Sequence, residues 1–272
     1  GGRRVKRLSA LIAPGLLIAV LLGGWETAVR ALGTPEYLLP GPAAIARAVA
    51  ADAPGLLASA WATLRMALAA LAVATTLALL LALAVSLSRT LEQAIAPLAV
   101  AMQVTPVVAI APLVVIWAGL DNPDRAIVAL ACVVAFFPVF SGALAGLRSA
   151  DPDLERLFDL YGATRLQRLT RLRLPSAVPF VLEGVKVAAG LSLIGTVVAE
   201  FVAGSGGAQG LAWRILEAGN RLRTAEMFAA LLVLALLGAG LYAGLQAAER
   251  RALRPKPQAR TPEPQTLRLT LP

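Results

Sequence analysis

Residues 66–88 read MALAALAVATTLALLLALAVSLS, 23 consecutive positions without Asp, Glu, Lys or Arg. A helix needs about 20 apolar residues to cross the hydrocarbon core of a bilayer, and in lipid every backbone polar group must be satisfied within the segment. This stretch therefore specifies a transmembrane helix. Working outward, the same count gives Leu8–Trp25 (18 residues), Gln93–Leu120 (28), Ala126–Leu147 (22) and Met227–Ala248 (22). A sixth span over Ala177–Ala203 is interrupted by Glu183, Lys186 and Glu200, yet Val187–Ala199 is unbroken and the outer two acids lie towards its ends. The expectation is an all-α integral membrane protein, residues 1–272 forming a single membrane domain with six transmembrane helices.

Composition agrees with that pattern and excludes several chemistries. The 272 residues are 58% hydrophobic and 15% charged, against about 25% charged in soluble domains. There is no histidine and one cysteine, Cys132, which excludes His acid–base catalysis, Cys/His metal sites and an internal disulfide. Cys132 reads as a small core residue. The 16 acids are scattered, so neither a carboxylate metal cage nor an intramembrane enzyme with a facing acid pair is expected. A net charge of +9 would suggest nucleic acid in a soluble protein, but here the cations flank apolar runs. The partner they face is membrane lipid, with no nucleic acid expected.

The positions of those cations set the orientation. With the N-terminus in the cytoplasm, seventeen of the 25 basic residues fall on cytoplasmic segments and five (Arg47, Arg125, Arg214, Arg221 and Arg223) fall outside. The positive-inside rule then places both termini in the cytoplasm. Arg3–Arg7 ahead of an apolar run also fits a signal peptide, but Gly24-Trp25-Glu26-Thr27 follows where a small-residue cleavage site belongs. Residues 255–272, rich in Pro, Gln, Thr and Arg, read as a disordered cytoplasmic tail.

The longer cytoplasmic loop, between the fourth and fifth spans, is densely punctuated. Asp151–Pro152 is a helix start, with Asp as N-cap, Pro at the first helical position and Asp153 and Glu155 in the first turn. Leu154, Leu157, Phe158 and Tyr161 recur at helical spacing before Gly162, which is suited to a left-handed helix end. Thr164-Arg165-Leu166-Gln167 is a capping box. The second helix sets Leu166, Leu169 and Leu172 apart from Arg165, Arg168 and Arg171, and Leu174–Pro175 is expected to end it. Such a helix–Gly–helix element either rests on anionic headgroups or docks a partner.

The spacing from Gly162 through nine residues to Leu172-Arg173-Leu174-Pro175 resembles the EAA loop of bacterial ABC importer membrane subunits. The resemblance extends over residues 57–248, through Gln103-Val104-Thr105-Pro106, Trp117-Ala118-Gly119, Phe136-Phe137-Pro138, Gly146-Leu147-Arg148 and Gly195-Thr196-Val197-Val198-Ala199-Glu200, and is to the nitrate/sulfonate/taurine branch. It implies the type I ABC importer fold in the bacterial inner membrane. It also implies three kinds of partner: a cytoplasmic ATPase dimer, a second permease copy as homodimer, and an extracytoplasmic binding protein. The chain has no G-x-x-x-x-G-K-[ST] loop, so ATP and Mg belong to the ATPase and no cofactor to this chain. The resemblance makes the coupling loop Glu155, Leu157, Phe158, Asp159, Tyr161, Gly162, Ala163, Leu172, Leu174 and Pro175. Leu157, Phe158 and Tyr161 would be its anchors and Gly162 its point of close approach. One position departs: the family glutamate would stand at Arg156, and here the acids are Glu155 and Asp159. A one-residue shift turns a side chain by about 100°, so either acid is a candidate for the family's ionic contact.

Polar residues within spans point to function by default. Gln103, Trp117 and Glu200 are translocation-pathway candidates, with inter-helix packing the alternative for the first two and a reach to interfacial water for Glu200. Glu183 and Lys186, three apart on one face, read as a structural pair, and Arg65 as a snorkelling cation. Residues 204–213 read as an outside loop with a short helix, a docking surface for the binding protein. A sulfonate-type anion is the first cargo suggested by the resemblance, while nitrate, taurine, bicarbonate and small heterocyclic nutrients also belong to that branch. The competing function is a secondary transporter or channel working without an ATPase, which needs coupling acids near the midplane.

Overall fold

The computed structural model describes residues 2–104, 106–118, 122–203 and 209–252, and every regular element among them is helical. In chain order these are α1 (Gly2–Ala31), α2 (Pro42–Ala51), α3 (Ala53–Ser86), α4 (Arg89–Val104), α5 (Val107–Ala118) and α6 (Pro123–Arg148). They are followed by α7 (Pro152–Leu160), α8 (Arg165–Arg168), a π-helical turn (Leu169–Arg173), α9 (Leu174–Ala203), α10 (Leu211–Asn220) and α11 (Thr224–Ala252). Four helical stretches, Ala53–Ser86, Pro123–Arg148, Arg165–Ala203 and Thr224–Arg251, are each long and apolar enough to cross a membrane. The first expected span lies within α1. The 255–272 tail and the Gly204–Gly207 loop lie outside the described residues.

Two expectations are corrected by the backbone. The 93–120 run is not one helix: α4 stops at Val104 and α5 begins at Val107, on either side of Pro106. A proline lacks the N–H a continuing helix needs and drives its predecessor out of the α region. Leu174–Pro175, in contrast, ends nothing. The turn before it widens to π geometry, the Leu174 N–H donating to the Leu169 carbonyl five residues back. This wider turn accommodates a residue that cannot donate, and the helix runs unbroken from Arg165 to Ala203. At 1.5 Å per residue those 39 residues make a rod about 58 Å long. α2 is an element beyond the six expected spans, and Gly41–Pro42 starts it with a proline at the first helical position.

The centre of the bundle is α3, α6 and the α9 rod. On α3, Ala70, Ala74, Ala78 and Ala82 form a fully buried stripe at four-residue spacing, while Leu68, Val73, Leu77 and Leu80 face outwards. In lipid there is no hydrophobic gain from hiding a leucine, so helices associate where small residues let backbones approach. The same device joins α6 to α9. A Cβ on Gly184 would stand 2.7 Å from the Pro138 carbonyl oxygen, and one on Gly195 would stand 2.9 Å from the Ala131 Cα. Phe136, Val139, Phe140 and Leu147 fill the remaining space, with Cys132 packed partly buried at the margin.

Candidate functional site

The loop at one end of the rod is built from the signals its sequence carries. Asp151 caps α7, its carboxylate accepting from the Asp153 N–H at 2.8 Å. Gly162 has φ +65°, and the space where its Cβ would stand is open. The capping box is complete: the Gln167 N–H donates to Thr164 Oγ1 at 3.3 Å, and the Thr164 N–H donates to Gln167 Oε1 at 2.9 Å. Leu172 is buried and Leu169 packs against the central core, so the second half of the loop is part of the bundle.

Ion pairs hold α7 against that second half. Glu155 Oε1 accepts from Arg173 Nε at 2.7 Å, and its other oxygen lies 3.6 Å from Arg168. Asp159 pairs with Arg168 at 2.5 Å. Glu155 is thus committed within the chain, whereas Asp159 keeps 62% of its side chain exposed. Arg156, where the family glutamate would stand, pairs at the surface with Asp153. Glu155 and its two arginines are only partly exposed, so their pairing is worth on the order of 1 kcal/mol, the upper end of the range for surface pairs. Glu155→Ala is therefore expected to speed amide hydrogen exchange over 152–160 by roughly two- to fivefold while leaving α3 and α6 unchanged.

What the loop presents outward differs partly from the expected anchors. Tyr161 is 82% exposed, Leu157 is exposed and Phe158 is half-buried. Leu160, at 84%, and Leu166, at 69%, are the larger additions, and with Tyr161 they leave exposed apolar side chains on both sides of Gly162 along the chain. Leu160 stands off the amphipathic stripe of α7, which was the available sign of a residue meant for another surface. Leu174 and Pro175 are exposed and Ala163 is half-buried.

At the opposite end of the rod a second constellation appears. Glu200, for which the sequence shows no partner, is fully buried and bonded on both oxygens. Thr63 Oγ1 donates to Oε1 at 2.7 Å and the Ala212 N–H donates to Oε2 at 2.9 Å. The Leu211 N–H donates in turn to Thr63 Oγ1 at 2.9 Å. A carboxylate at a helix N-terminus meets both the orphan donors and the positive end of the dipole. Its carboxylate faces Thr63 and the first turn of α10, inside the fold and away from the surface. Nearby, Arg214 donates through Nε to Ser59 Oγ at 2.8 Å and pairs with Asp52. The Arg214 guanidinium, aided by the Gly55 N–H, holds the Asp52 carboxyl below its usual range. That pair is complete above the ordinary carboxylate range and is lost as the pH falls through the depressed value. Asp52, Ser59, Trp213, Arg214 and Arg221 help to line a cavity of about 430 Å³ here.

Of the other polar candidates, Trp117 is 75% exposed on α5. Gln103 lies on α4 with its side chain outside the described residues. Lys186 pairs with Glu183 as the spacing suggests, and also with Glu249 on α11 at 3.1 Å. Arg65 is more than a snorkelling cation, since it pairs with Asp124 at 2.7 Å.

Residues 74–254, which include the rod, the loop and α10, match the family described as binding-protein-dependent transport system inner membrane component. The chain belongs to that family. It is a permease subunit of a binding-protein-dependent ABC transporter, a multi-pass membrane component whose ATPase is a separate subunit. The permease is 37% identical over 248 residues to the riboflavin transport system permease protein RibX of Chloroflexus aurantiacus, covering 88% of this chain and 90% of that one. It is 30% identical over 243 residues to the taurine transport system permease protein TauC of Escherichia coli, covering 87% and 86%. The fold is shared with a crystal structure of an amino acid ABC transporter with histidines, at a TM-score of 0.62 and 16% identity over 75% of this permease and 96% of that chain.

Proposed function

We propose that two copies of this permease form the pathway for a small nitrogen heterocycle, with both termini and the Gly162 loop in the cytoplasm and α10 facing outside. The ATPase binds ATP and Mg. It grips the loop through Leu157, Phe158, Leu160, Tyr161 and Leu166, with Gly162 at the closest approach, and its closure rocks the rod. The observation that carries this reading is the loop itself: a built helix–Gly–helix, fixed to the bundle by Leu169 and Leu172, that leaves Leu160, Tyr161 and Leu166 in the open. An apolar patch of that kind on a rigid base marks a docking surface. Gln103 and Trp117 remain candidates for the pathway wall.

The cargo assignment has separate support. The riboflavin permease is the more similar of the two relatives named above. Within the described spans Lys186 is held by two carboxylates and Arg65 by Asp124, so neither offers a free charge to an anion. A second reading, a sulfonate-type anion, rests on the taurine relative. Proteoliposomes containing the permease with its ATPase and binding protein are expected to take up labelled riboflavin when ATP is enclosed on the ATPase side. Uptake of taurine or an alkanesulfonate in its place would transfer the assignment to the anion.

A further inference from the structure

The rod that carries the loop at one end carries a buried acid at the other, and that acid holds a short helix outside the central bundle. α10 begins on two bonds. The Ala212 N–H donates to Glu200 on α9 and the Leu211 N–H to Thr63 on α3, while the Thr63 hydroxyl donates to Glu200 and joins the two supports. We infer that Glu200 is the positioning residue through which a binding protein seated on α10 is sensed by the rod, and hence by the ATPase at the loop. The inference rests on the orientation and partners proposed above.

Three features make this link transmit a displacement. Glu200 and Thr63 are both fully buried, so a broken bond leaves an unsatisfied polar group behind. There is no slack: a Cβ on Gly210, the N-cap of α10, would collide with the Glu200 carboxylate. The support is also continuous, because the helix that bears Glu200 runs without interruption back to Arg165 in the loop. The neighbouring Arg214–Asp52 pair ties α10 to α3 alone and is half-exposed, where pairing is weak and screened. Among the described residues, Glu200 connects α10 to the rod by a buried hydrogen bond, which no solvent screens.

The test uses the complete complex in proteoliposomes and reads ATP hydrolysis with and without binding protein loaded with riboflavin, or with taurine if wild-type vesicles take that up. Glu200→Gln removes an acceptor, and Thr63→Val removes the hydroxyl at nearly constant volume. Each is expected to reduce the stimulation by loaded binding protein about tenfold, the scale of one buried hydrogen bond. Basal hydrolysis and ATPase co-purification should not change. Thr63→Ser keeps the hydroxyl and should keep the stimulation. The inference is overturned if both variants retain the wild-type stimulation, or if basal and stimulated rates fall together so that their ratio is preserved, which is the signature of a merely structural bond. A wild-type complex that hydrolyses ATP without responding to the loaded binding protein would instead overturn the importer reading, before any substitution is made.

Discussion

Gly162→Asp is expected to lower transport by about 100-fold or more and to strip the ATPase from the purified permease, since burying an unpaired charge at an interface costs about 3–5 kcal/mol. The substitution isolates docking from folding. Gly162 has φ +65°, a conformation that Asp and Asn adopt more readily than other non-glycine residues. Its Cβ would meet nothing within the chain, and the capping box and the Glu155–Arg173 pair on either side are untouched. The permease should therefore reach the membrane in normal amount. Gly162→Asn makes the same demand on the backbone without the charge, so partial activity there with none in the aspartate variant would assign the loss to the buried carboxylate. Survival of both transport and ATPase co-purification in Gly162→Asp would remove the loop from the ATPase interface.

Gly184→Leu should prevent the bundle from assembling. The Cβ alone would lie 2.7 Å from the Pro138 carbonyl oxygen and 3.2 Å from the Val139 Cα, both backbone atoms of α6. Overpacking usually costs about 1–3 kcal/mol because side chains rotate away. Here the obstruction is main chain, and relief requires α6 and α9 to separate along the central interface, so a cost above about 3 kcal/mol is expected. In detergent, the variant should aggregate or melt far below the wild type. Gly190→Leu on the same helix is the control, because Gly190 is exposed and its Cβ would meet nothing within 4 Å. Equal damage at both sites would mean that leucine disturbs α9 itself and that close approach at Gly184 is not what holds the bundle together.

Both predictions concern glycines, yet only one was legible as a functional position before the fold was known. Gly162 stands between a complete helix start and a complete capping box, and local chemistry specifies it. Gly184 lies between Glu183 and Lys186 and Gly190 in the apolar run beyond them, and nothing local marks either as a point of close helix approach. What separates them is the presence of α6 on one face of the rod. The alanine stripe of α3 has the same history: its composition marks a span, but which face is buried depends on the neighbours.

Two prolines behave oppositely in this fold. Pro106 interrupts its helix and Pro175 does not, although by residue type the two are equivalent. The π turn ahead of Pro175 accepts the missing donor, and Leu169 and Leu172 are packed well enough to hold that turn in place.

From the sequence alone came the membrane class, the long apolar runs and the local architecture of the loop. Each of these follows from residues close along the chain acting through hydropathy, capping and backbone conformation. Tertiary structure decided the rest. It continued the rod through Pro175, turned Glu155 onto Arg173, brought Leu160 and Leu166 out beside Gly162, and placed Thr63, 137 positions away, against Glu200. These depend on contacts between distant segments, and a buried carboxylate finds its partners only when packing excludes water and leaves it no others.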